Sequence, residues 1–124
     1  MSVIDDSKKF DLEERLVKFS IRIIEVVELL PNNRSGNHLA GQLVRSGTAP
    51  ALNYAEAQSA ESRNDFIHKM KISLKELRET YVCLKIIYQK PLVTPVQKLD
   101  AVMKENNELI SIFVKSISTA QSRK

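Results

Sequence analysis

"QLVRSGTAPALNYAEAQ", residues Gln42 to Gln58, is helical in its periodicity at both ends and holds two helix-disfavouring residues in between. In a helix interior Gly47 costs about 1 kcal/mol relative to alanine, and Pro50 about 3. Their neighbours are small: Ser46, Thr48, Ala49 and Ala51, then Ala55, Ala57 and Ala60. Small side chains let another backbone come close, while proline removes one helical hydrogen bond and bends the axis. The segment therefore reads either as a kinked helix in close contact with a neighbour or as a break that frees the Ser46 carbonyl for a ligand. Apolar and alanine positions continue in register past Pro50, which favours the kink.

Three further periodic segments flank this one. The first runs from about Asp11 to Leu30, with a core stripe of Leu12, Leu16, Phe19, Ile23, Val26 and Leu30, and stops at "PNNRSG". The second, holding the opening stretch, runs from about Asn37 to Ala60. Ser62 and Asp65 form a variant capping box for a third helix reaching about Tyr88, whose stripe is Ile67, Met70, Leu74, Leu77, Tyr81, Leu84 and Tyr88. "TPVQ" offers Thr94 as N-cap, Pro95 in the first turn and Gln97 as reciprocal partner for a fourth helix. Its stripe is Val96, Leu99, Met103, Asn106, Ile110, Phe113, Ile117 and Ala120, with Asn106 as a register-setting polar residue. Short connections make sequential helices antiparallel neighbours. The expected fold is all-α: one up-down-up-down four-helix bundle over residues 1–124, ordered from about 10 to 120, with its second helix kinked near Pro50.

Composition agrees. The 124 residues are 43% apolar and 27% charged, with 3 Gly, 4 Pro and no Trp, which favours long helices. A single cysteine, Cys83, excludes an internal disulfide and reads as a small buried hydrophobe. No apolar run reaches the roughly 18 residues of a membrane span, and the N-terminus lacks a signal-peptide core. A cytoplasmic protein with no membrane role is expected. The net charge of +4 lies in the second half, residues 63–90 alone carrying +4, which permits an anionic partner.

Three groups of residues stand out. Lys71, Lys75, Arg78 and Lys85 share one side of the third helix over about 21 Å, a spacing suited to several phosphates of RNA or DNA, or to inter-subunit pairing with acids of the first helix. Arg45, Asn53 and Glu56 face a flank of Lys69, Ser73, Glu76, Thr80 and Cys83, a polar network with Arg45 near Glu76 or Glu56. Val17, Ile21 and Ile24 lie off the first helix's core seam and mark an oligomer interface. Catalysis has no basis: His38, in the first turn of the second helix, and His68, on a flank of the third, have no ligand partners at metal spacing, and no phosphate-binding glycine loop is present. No enzyme activity, cofactor or metal is expected.

"HLAGQLVRSGTAPALNYAEAQSAESRNDFIHKMKISLKELRET", residues 38–80, with "FDLEERLVKFSIRIIEVVELLP" before it, closely resembles the four-helix-bundle family of proteins encoded in 23S ribosomal RNA intervening sequences, also called the S23 ribosomal protein family. The combination Leu43, Arg45, Ser46, Pro50, Asn53, Glu56, Ala57, Phe66, Lys69, Glu76 and Glu79 carries the resemblance, which thins after Pro91. It implies a homopentamer without established enzymatic activity. It also implies kinship with the accessory protein of diversity-generating retroelements, a basic pentameric barrel that binds nucleic acid and a reverse transcriptase. The expected function is an oligomeric nucleic-acid-binding accessory factor acting on structured RNA or an RNA–protein complex. The alternative is a homo-oligomeric scaffold for a protein partner.

Overall fold

The computed structural model describes residues 11–123. Four α-helices account for most of them: α1, Leu12–Leu29; α2, Arg34–Gln58; α3, Arg63–Gln89; and α4, Asp100–Ser122, preceded by a 3-10 turn at Val96–Leu99. No strand occurs among the described residues. Sequential helices pack as neighbours, α1 also meets α4, and the most extensive contact is α2 on α3. No described helix is long and apolar enough to cross a membrane.

Local side-chain chemistry sets three of the helix starts. Asp11 accepts from the Glu14 N–H at 3.0 Å and opens α1, and Ser62 accepts from the Asp65 N–H at 3.1 Å and opens α3. Helix α2 begins three residues earlier than its periodicity predicts, because Asn33 caps it by accepting from the Gly36 N–H at 2.8 Å. Gly36 is a packing residue there, since a β-carbon on it would overlap the Pro31 carbonyl. His38 consequently stands beyond the first turn of α2. The capping box expected at Thr94 does not form: the entry to α4 is a 3-10 turn with Pro95 at its cap and no side-chain cap bond.

Helix α2 continues as α-helix through Gly47 and Pro50. Both residues are buried, and each contacts a neighbouring helix. Gly47 faces Ile23 of α1, and its carbonyl lies 3.4 Å from the Ser20 hydroxyl. The Pro50 carbonyl accepts from the Ser73 hydroxyl of α3 at 3.3 Å.

These contacts rotate α3 from its expected seam. Met70, Leu77 and Leu84 are buried as predicted, but Ile67, Leu74, Tyr81 and Tyr88 are only partly so. The remaining inward positions are Ser73, Thr80, Cys83 and Ile87. Small polar residues fit because α2 presents small residues opposite, and their hydroxyls find partners: Thr80 and Ser46 share a 2.9 Å hydrogen bond. In α4 the buried positions are Val102, Asn106, Leu109, Phe113 and Ile117, so Met103 and Ile110 of the expected stripe sit at its margin. Leu16, Phe19, Ile23 and Val26 of α1 are buried as its periodicity requires.

Candidate functional site

Three of the α3 cations, Lys71, Lys75 and Arg78, rim a groove. Between α2 and α3 lies an open cleft of about 700 Å³ lined by His38, Leu39, Gln42, Arg45 and Ser46 from one helix and Lys71, Leu74, Lys75, Arg78, Glu79, Val82, Cys83 and Ile86 from the other. Lys71, Lys75 and Arg78 are exposed along it. Lys85 is exposed but does not line it; its ammonium stands 5.7 Å from the Tyr81 ring centroid, a cation–π contact. None of the four pairs with an acid among the described residues, whereas Arg15, Arg45 and Lys69 all do.

The cleft also has an exposed apolar part, which reading the cations alone did not reveal. Val82 is 53% exposed and Ile86 49%, on the same side of α3 as Arg78 and Lys85. Large apolar residues left in solvent beside a groove point to contact with another macromolecule. The signal was available in the sequence: Val82 and Ile86 lie off the α3 seam, just as Val17, Ile21 and Ile24 lie off that of α1.

The expected polar network divides into two clusters. Arg45 reaches Glu76 at 3.0 Å and Glu79 at 2.9 Å, and takes the Gln42 side-chain oxygen at 3.3 Å. Glu79 first, then Glu76, raise the Arg45 pKa above its ordinary value. Glu56 pairs with Lys69 at 2.6 Å and not with Arg45, and that bond raises the Lys69 pKa. Asn53 joins neither cluster, its amide donating to the Ala49 carbonyl one turn back in α2. Both clusters bridge α2 and α3 at largely exposed positions, where such pairs add little stability.

On α1, Val17, Ile21 and Ile24 are 38%, 50% and 40% exposed. Arg15 on the same helix is tied to α4 through Glu105 and Glu108, each at 2.7 Å. Cys83 is buried at the groove wall, and desolvation raises its thiol pKa. His68 is exposed on α3, and among the described residues no group of three His, Cys, Asp or Glu is placed to hold a metal.

The sequence profile of the 23S rRNA-intervening sequence protein family matches residues 8–115. The chain belongs to that family. The match continues well past Pro91, where the resemblance read from individual residues had thinned. A crystal structure of a protein with unknown function from the S23 ribosomal protein family of Bacteroides thetaiotaomicron is similar at 28% identity and a TM-score of 0.78, over 85% of this chain and 96% of that one. No functionally curated protein matches the chain.

The geometry explains much of the intervening-sequence family pattern. Leu43, Ser46, Pro50 and Ala57 are buried in α2, and Arg45, Glu56, Lys69, Glu76 and Glu79 form the ion pairs that bridge it to α3. Those motif residues serve the α2–α3 contact. The groove cations and the α1 apolar face are additional features.

Proposed function

We propose that this family member is a non-enzymatic homo-oligomeric scaffold, whose contact surfaces are the apolar face of α1 and the groove between α2 and α3. The bundle in this reading runs up-down-up-down with α2 bent at Pro50, in keeping with its short connections and the proline inside the helix. Its expected assembly is a pentamer acting in the cytoplasm. One observation carries the reading: besides the scattered Leu29, Leu52 and Val114, a chain of 124 residues leaves exposed apolar side chains grouped at helical spacing, Val17, Ile21 and Ile24 on α1 and Val82 and Ile86 on α3. Contiguous apolar patches on a small protein mark interaction surfaces. Light scattering at micromolar concentration tests it. A multiple of the 14.1 kDa chain mass is expected, and a clean monomer overturns the reading.

A second reading, a nucleic-acid-binding accessory factor, is favoured by Lys71, Lys75, Arg78 and Lys85, which have no acidic partner among the described residues. Those cations would follow a phosphate backbone by charge and shape, without reading base sequence. Titrations of structured RNA, single-stranded DNA and duplex DNA at several salt concentrations test it. Binding that falls steeply with salt supports this reading, and no affinity at low salt removes it.

A further inference from the structure

The exposed faces of α1 and α3 both carry apolar residues and have opposite net charge. On α1 the apolar residues Val17, Ile21 and Ile24 lie between Glu13 and Glu14 on one side and Glu25 and Glu28 on the other. None of these four glutamates forms an ion pair among the described residues. On the groove wall of α3 the exposed Val82 and Ile86 follow Lys71, Lys75 and Arg78, with Glu79 beside them and Lys85 just outside the groove. Lys18 and Arg22 are also exposed on α1 and Glu79 lines the groove, but the four glutamates outnumber the two cations on the first face, and Arg45, Lys71, Lys75 and Arg78 outnumber the one acid on the second. Their lengths also agree, at about 21 Å from Glu14 to Glu28 and about 23 Å from Lys71 to Ile86 along the groove wall, for a rise of 1.5 Å per residue.

We propose that α1 of one copy lies in the α2–α3 groove of a second copy, an inference that rests on the homo-oligomeric reading above. An amphipathic helix docks in a groove by setting its apolar residues on the floor and its charges against the rim. Here Ile21 and its neighbours cover Val82 and Ile86, and the flanking glutamates meet the groove cations. The alternatives in which like faces pair are disfavoured by charge. An α1–α1 contact sets glutamates against glutamates, and a groove–groove contact sets lysines against lysines, so both lose electrostatic complementarity. The contact is therefore heterologous. Each copy offers both halves, and successive copies add head to tail until the rotation closes a ring.

Two variants test this directly. Ile21→Glu spoils the α1 face and leaves the groove intact; Val82→Glu does the reverse. Both sites are at least half exposed, so circular dichroism should report unchanged helicity. Each variant alone is expected to run in sizing with light scattering as a single protomer. Mixed in equal amounts they should form a species of two protomers, because α1 of the Val82→Glu chain still fits the groove of the Ile21→Glu chain. A mixture that stays monomeric, or single variants that keep the wild-type mass, overturns the proposal. If α1 faces paired with each other, Val82→Glu alone would remain assembled. A monomeric wild type defeats the oligomeric reading itself, whereas an assembled wild type with unresponsive variants defeats only this mode of docking.

Discussion

Gly47 of α2 rests against Ile23 of α1, so that a β-carbon on Gly47 would stand 2.6 Å from the Ile23 Cγ2 and 2.8 Å from its Cγ1. Ile23 is fully buried and has no room to retreat. Gly47→Ala gains about 1 kcal/mol of helix propensity but suffers overpacking, which costs about 1–3 kcal/mol. Net destabilisation is expected in urea unfolding. Ile23→Ala removes both clashing atoms, so the double variant should lose less stability than the two single losses added together. Strict additivity would show that the contact is not the reason for the glycine.

The Ser46 and Thr80 hydroxyls test the second contact of α2, that with α3. Thr80 also lies 2.8 Å from the Glu76 carbonyl, so its one proton and that of Ser46 together serve this buried site. Thr80→Val keeps the shape but leaves Ser46 without its partner, a change expected to cost about 1–3 kcal/mol. Adding Ser46→Ala removes the stranded group, and denaturation should show part of the loss recovered.

The helices were largely legible from sequence because their signals are local. Ser62 caps α3 as its spacing predicts, and Leu16, Phe19, Ile23 and Val26 of the α1 stripe are buried where its periodicity places them, with Leu12 and Leu30 partly buried at its ends. The rotation of α3 was not legible. Ser73 and Thr80 look like surface residues until Pro50 and Ser46, more than twenty positions away, supply their hydrogen bonds. The site divides in the same way. The α3 cations and the Arg45–Glu76 pair could be read from helical spacing, whereas the groove exists only because of how α2 and α3 pack. Seen in three dimensions, Lys71, Lys75 and Arg78 are the rim of a partly apolar cleft.

Asn106 is fully buried on α4, with its amide donating to the Leu77 carbonyl at 3.1 Å and its Oδ1 finding no donor among the described residues. An unmet buried acceptor costs about 1–3 kcal/mol, and a well-packed apolar side chain of similar volume avoids it. Asn106→Leu is expected to raise the thermal midpoint. Asn106→Asp, which brings a charge into the same place, should lower it sharply. If Leu lowers the midpoint as well, the amide does more for the fold than its single hydrogen bond indicates.

Cys83 should behave as a protected thiol. Burial raises its pKa, so the neutral form predominates at pH values where a free cysteine already supplies thiolate. Alkylation of the native protein at pH 8 is expected to be much slower than in denaturant. The raised value also fixes the sign of the pH effect. Its contribution to stability is full below the ordinary thiol pKa and is lost as pH rises through the folded-state value. Because Cys83 lines the groove, docking of α1 should slow labelling further, and Ile21→Glu should be alkylated faster than wild type.

The two functional readings make opposite predictions for nucleic-acid binding by Ile21→Glu. If α1 of a neighbour occupies the groove, its glutamates sit against Lys75 and Arg78, and releasing it uncovers those cations. The dissociated variant should then bind a single-stranded oligonucleotide more tightly per protomer than wild type at low salt. With Lys71, Lys75, Arg78 and Lys85 all on phosphates, log affinity should fall against log salt with a slope of about −3, from roughly 0.7 per contact on a single strand. If instead the cations of an assembled protein converge on one nucleic acid, dissociation removes that multivalency and affinity drops, commonly by orders of magnitude. Tighter binding by Ile21→Glu is the outcome expected here. Weaker binding, with Lys75→Glu and Arg78→Glu abolishing it in an intact oligomer, would make the nucleic-acid reading the better account of this surface.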